Sequence, residues 1–95
     1  MHIKFEWNEY KNKSNIEKHN VKFIDAQRAF LDKKRVIHKD QLHSKIEKRF
    51  YCFGKLKGRI LTVRFTYRNT KVRIIGAGYW DKGKKIYEKE NNIHR

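Results

Sequence analysis

Glu47, Arg49, Arg68 and Arg73, together with His19, are the side chains of this chain best suited to chemistry. A carboxylate or an imidazole can take a proton, and a guanidinium offers forked donors to phosphate. Those groups match what metal-free cleavage of RNA requires. The neighbouring 2′-hydroxyl is the nucleophile and needs a base, for which Glu47 or His19 is the candidate. The leaving 5′-oxygen needs an acid, and the phosphorane needs fixed cations, for which Arg49, Arg68 and Arg73 are candidates. A positioned acid or base contributes about 10²–10⁴-fold. The bland alternative is a solvated sheet face with cross-strand Glu–Arg pairs, each contributing about 0.2–1 kcal/mol.

The candidate RNA contacts are Lys11, Asn15, Lys18, Arg64, Trp80 and Lys82. Lys11, Asn15 and Lys18 fall at i, i+4 and i+7 of a helical pattern and share a face. His19 ends that helix, where a lone histidine is more often a cap than a catalyst. Trp80 and Tyr79 beside Lys82 and Lys84 could stack bases between cations. For at least one of Trp80 and Tyr87, core packing is the expected use.

The elements that must position these groups follow from patterning. Ile3–Trp7 alternates and predicts a short strand. Asn8 is an N-cap with Glu9 in the first turn of a helix running to His19, and Asn20 suits the left-handed C′ position. Phe23–Leu31 predicts a second helix. Arg35–His38 predicts a short strand, and His38, Asp40 and His43 an exposed loop whose spacing is a weak metal signal. Ile46–Phe53 predicts a strand carrying Glu47 and Arg49 on one face. Gly54–Gly58 predicts a turn. Arg59–Tyr67 predicts a strand with Leu61, Val63 and Phe65 on one face and Thr62, Arg64 and Thr66 on the other. Asn69–Thr70 predicts a tight hairpin, Val72–Ala77 the last strand, and Trp80–Asn92 a basic helix with Gly83 inside it. Short turns between the later strands make them antiparallel. The class expected is α+β, as one domain over residues 1–95.

Composition narrows the partners. The 95 residues hold 25 Lys and Arg against 10 Asp and Glu, an excess of +15 that calls for a polyanion. No run approaches the ~18 consecutive apolar residues of a membrane span. The first residues show no apolar leader, and the single Cys52 cannot form an internal disulfide, so a reducing cytoplasm is the expected setting. No CxxC, nucleophile elbow or Gly-rich phosphate loop is present, so neither a metal nor any other cofactor is expected.

The residues then resemble the BrnT toxin family of bacterial type II toxin–antitoxin systems, which share a RelE-like ribonuclease fold. The resemblance rests on Phe5, Glu6, Trp7, Glu9, Lys11, Ser14, Asn15, Lys18 and His19. It continues through Val21, Phe23, Ala26, Phe30 and Asp32. It resumes at Glu47, Arg49 and Phe50, at Gly54, at Thr66–Arg68 and at Arg73–Ile75. The resemblance implies an antiparallel sheet with the N-terminal strand and two helices packed on one face, and a C-terminal helix. It implies an endoribonuclease that halts translation and is neutralised by a small antitoxin with a ribbon-helix-helix DNA-binding region. Operator DNA would be bound only through that complex. The chain departs from the family where S-A-R is usual and Gly76, Ala77 and Gly78 stand instead; Arg68, Arg73 or Lys82 could supply the missing charge. The competing expectation is a non-catalytic nucleic-acid-binding or regulatory module on the same fold, with a basic adaptor that binds only protein ranked below it.

Overall fold

The computed structural model describes residues 3–93. A five-stranded sheet runs in the order β1-β5-β4-β3-β2. Its strands are β1 (Phe5–Trp7), β2 (Val36–Lys39), β3 (Arg49–Leu56), β4 (Arg59–Arg68) and β5 (Lys71–Gly78). β1 pairs parallel to β5, while β2 to β5 form antiparallel neighbours. Helix α1 (Glu9–His19) follows β1, a short α2 (Phe23–Ala26) runs into a 3₁₀ turn over Gln27–Leu31, and α3 (Asp81–Glu90) closes the chain. The α+β class and the sheet-on-helices arrangement are those expected, but the sheet, expected antiparallel, is mixed, because β1 enters at its edge parallel to β5.

Local chemistry explains the helix ends. Asn8 Oδ1 accepts the Lys11 backbone N–H at 3.0 Å, and Asn20 takes φ 55° at the C-terminus of α1. The expected helix over Phe23–Leu31 splits into α2 and the tighter 3₁₀ turn. Its carbonyls must come down onto the sheet: a Cβ on Gly54 would lie 2.2 Å from the Ala29 carbonyl oxygen. Gly54 is therefore a close-approach position inside β3, not the start of a turn. The turn is Lys57–Gly58, with φ 52° and 79°, between the paired Leu56 and Arg59.

The main core lies between the sheet and α1, α2 and the 3₁₀ turn. It is built from Phe23, Ala26, Ala29, Phe30, Cys52, Leu61, Val63, Phe65, Val72, Ile74 and Ala77. Burial pushes the Cys52 thiol up to about 12, so it is no nucleophile at neutral pH. A second cluster of Val36, Phe53 and Tyr87 lies on the opposite face, where α3 packs over β2, β3 and β4. Gly83 makes that contact possible. A Cβ there would meet Thr62 Oγ1 at 2.1 Å and the Phe53 ring at 2.9 Å. The helix propensity lost at Gly83, about 1 kcal/mol relative to Ala, is the cost of close packing.

Candidate active site

Register sets side chains on the α3 face in rows across the sheet. Glu6, Arg73, Thr66 and Arg49 pair in succession across β1, β5, β4 and β3. The next row is Gly76, Arg64, Tyr51 and His38, and the one after it is Gly78, Thr62, Phe53 and Val36. Only the last row lies under α3 at Gly83. The first two rows stay open, so the polar residues expected to converge do so, but on a face that α3 half covers.

A β-bulge between Arg64 and Phe65 makes this possible. Simple alternation along β5 would put Arg73, Ile75 and Ala77 on one face. The extra residue, Ile75, shifts the phase, so Arg73, Gly76 and Gly78 share the open face while Ala77 enters the core. Asn15 holds this stretch. Its side-chain amide donates to the Ala77 carbonyl at 3.0 Å and the Val21 carbonyl at 2.9 Å, and its Oδ1 accepts the Ala77 N–H at 3.0 Å. Asn15 is 7% exposed, so the structure places it as a backbone clasp, unlike the other residues expected to touch RNA.

Glu47 precedes β3 in a bend rather than standing on the strand. Ile46 is fully exposed, and pairing begins only at Arg49, one residue before Phe50 packs against the core. Glu47 nonetheless reaches Arg49 Nη2 and Arg68 Nη2, each at 3.6 Å. These separations exceed hydrogen-bond length, so both guanidiniums can turn their donors to another anion. Arg49 Nε is buried without a partner among the described residues. Arg73 differs. Its Nη1 donates to Glu6 Oε2 at 2.8 Å, and Lys71 Nζ stands 4.0 Å from the other Glu6 oxygen. Glu6, not singled out for chemistry, thus neutralises Arg73. No sequence signal pointed to the pair, because parallel pairing of β1 with β5 brings it together.

The remaining candidates lie at the α1–α3 end. Arg64 links two hollows. One is lined by Lys11, Lys18, His19 and Gly76. The other is a cleft of about 590 Å³ whose walls include His38, His43, Tyr51, Trp80 and Lys82. His19 meets the Trp80 ring edge-on at 5.0 Å and makes no ion pair with Glu47. Trp80 is 41% exposed. Its indole fills the space over Gly78, where a Cβ would lie 2.6 Å from the ring. His38 sits in β2, in keeping with the strand expected over Arg35–His38, and the exposed loop expected around it is corrected at Asp40, which is buried. Asp40 was read only within a weak metal spacing; its bonds to the Leu42 and His43 N–H groups are those by which an Asx side chain forms a turn. Among the described residues no three His, Cys, Asp or Glu side chains converge to hold a metal, and no helix is long and apolar enough to cross a membrane.

The arrangement offers a carboxylate among cations, a cleft sized for a nucleotide and an aromatic edge beside it. Comparison with individual curated proteins returns no match. The family model described as the ribonuclease toxin BrnT of type II toxin–antitoxin systems matches residues 7–84, a span that holds β2 to β5 and every candidate residue above. The chain therefore belongs to the BrnT family of ribonuclease toxins.

Proposed function

We propose that the protein cleaves RNA by metal-independent transesterification and so inhibits translation in the cytoplasm. The observation that carries this reading is Glu47 held between Arg49 and Arg68 at 3.6 Å on the open face. Glu47 takes the 2′-hydroxyl proton, and Arg49 and Arg68 stabilise the phosphorane. Lys11, Lys18, Arg64 and Lys82 hold flanking phosphates, Trp80 stacks a base, and Arg73 fixes the sheet edge through Glu6 while adding positive potential. His19 positions Trp80. A type II toxin has a cognate antitoxin; here we assign it a carboxylate-bearing segment that covers the basic face and a ribbon-helix-helix region through which the complex binds operator DNA.

The test is incubation of purified protein with RNA in EDTA. Cleavage should persist and leave a 2′,3′-cyclic phosphate or its 3′-phosphate. Glu47→Gln should lower the rate about 10²-fold or more with the fold intact. Activity that vanished in EDTA and returned only with Mg²⁺ would rule this mechanism out. Gly78, vacant where the family usually has Arg, favours a second reading as a non-catalytic RNA-binding module. RNA bound but left uncut in the same assay would select it.

A further inference from the structure

The proposed cleavage needs a proton donor for the leaving 5′-oxygen, and Glu47 with its arginines supplies none. The loop between β2 and β3 does. Asp40 is 5% exposed and tightly held. Its Oδ1 accepts the backbone N–H groups of Leu42 at 3.2 Å and His43 at 3.3 Å. Its Oδ2 lies 2.8 Å from His43 Nδ1. The Ser44 hydroxyl donates to the Asp40 carbonyl at 2.5 Å and accepts the Arg49 N–H at 3.0 Å, which stitches the loop to β3 beside Glu47. Burial raises the Asp40 carboxyl, but the hydrogen bond and charge of His43 and a hydrogen bond from Tyr51 outweigh it and hold it below its ordinary value. Asp40 therefore stays ionised at neutral pH and fixes the His43 ring with Nδ1–H toward itself.

Nε2 of His43 is left without a partner among the described residues. The ring is 56% exposed and lines the 590 Å³ cleft with Tyr51, Arg64 and Lys82. His38, on the same wall, is not equivalent, because its Nε2 is engaged by Glu90. Tyr51 and Arg64 occupy the row next to Arg49 and Thr66. Rows two residues apart along a strand are separated by about 7 Å, which leaves room for a phosphate between a base near one and an acid near the other.

We propose that His43, positioned by Asp40, is the general acid that protonates the leaving 5′-oxygen. This assignment rests on the nuclease reading above. Glu47 removes the 2′-hydroxyl proton, and the oxygen's electron pair forms the O2′–P bond. The P–O5′ bond breaks, its electron pair passes to O5′, and that oxygen takes the Nε2 proton of the His43 imidazolium. The products are a 2′,3′-cyclic phosphate and a 5′-hydroxyl. Neutral His43 and protonated Glu47 then exchange protons with water. Arg64 and Lys82, beside His43 in the cleft, hold the flanking phosphate on the leaving side, and Asp40 is a positioning residue.

The test compares two oligoribonucleotides of one sequence, one with the ordinary 5′-oxygen at the scissile bond and one with 5′-sulfur. A thiolate leaves without protonation, so the sulfur substrate needs no acid. His43→Gln should lose about 10²-fold or more on the oxygen substrate and match the wild type on the sulfur substrate. Asp40→Asn should show the same pattern with a smaller loss. Thermal melts accompany each variant. Equal losses on both substrates, or no loss on the oxygen substrate, overturn the assignment while leaving the nuclease reading standing. Wild type that cleaves neither substrate overturns both.

Discussion

Gly78 and Trp80 show how one residue changes the meaning of another. The indole lies where a side chain at 78 would go, so Gly78→Arg has no room unless Trp80 moves. Gly78→Arg should therefore destabilise the fold by more than the about 1 kcal/mol usual for a point change. Gly78→Arg with Trp80→Ala should recover most of that loss, because the two residues share one space and their effects do not add. Additive melting temperatures in that double-mutant cycle would mean the ring does not occupy the position. Charged residues on the open face were legible from strand alternation, which identified Arg49, Arg64, Arg68 and Arg73 as partners. Their differences were not. Arg73 donates a 2.8 Å hydrogen bond to Glu6, whereas Arg49 shares Glu47 with Arg68 at 3.6 Å, and the first of these depends on a strand pairing no local pattern encodes. Asn15 misled for a related reason: helical spacing placed it beside Lys11 and Lys18, but the bulge in β5 brings the Ala77 backbone within its reach.

At the scale of elements, α3 is fixed to the rest through Asp32. The Tyr87 hydroxyl donates to Asp32 Oδ2 at 2.6 Å, and the Lys34 and Lys55 N–H groups donate at 2.9 and 2.8 Å. Burial raises the Asp32 carboxyl, but these hydrogen bonds prevail and hold it below its ordinary value. Burial and the same partner push Tyr87 up to about 12. A depressed carboxylate stabilises the fold above its unfolded pKa and loses that contribution as pH falls through its folded pKa. Tyr87→Phe should therefore cost about 1.5–3 kcal/mol at pH 7, and the deficit should shrink in acid as Asp32 protonates. Urea melts at pH 7 and pH 3 measure it; a deficit unchanged between them would mean the bond to the carboxylate contributes little. Helix α1 and strand β4 were readable because cap, turn and period agreed; β5 was readable in extent, but its extra residue Ile75 breaks the period. The second helix and the turn after β3 were not, since both depend on Gly54 letting the 3₁₀ turn touch the sheet. The propensity of Gly for turns hid a packing role.

Across the whole molecule the dominant fact is the charge of +15, gathered in part on a face that Glu6 and Glu47 only locally offset. RNA binding should weaken steeply with salt, with a slope of about −0.7 per phosphate contact on single strands. Antitoxin binding should weaken less, because a protein interface also buries apolar surface. Arg64→Glu with Arg68→Glu should damage both, and RNA binding more. Titrations across a salt series followed by competition provide the check. An antitoxin that binds tightly and leaves RNA affinity unchanged would place the two ligands on different surfaces. Composition gave the polyanion directly. It could not say that α3 would cover one part of the sheet and leave a cleft beside the rest.

The parallel pairing of β1 with β5 has a bearing on when the protein becomes dangerous to the cell that makes it. Phe5–Trp7 emerges from the ribosome early, but the strand it pairs with is Val72–Ile74, and the cleft is finished by Lys82 still later. Until Val72–Ile74 is made, the N-terminal segment has no strand to pair with, so the Glu6–Arg73 pair and the cleft beside Lys82 cannot form on a shorter chain. Nascent chains stalled before residue 70 should accordingly be open to protease throughout β1 and α1, and the full-length chain should not. The interval between those states is the window in which an antitoxin could meet its target before any RNA does.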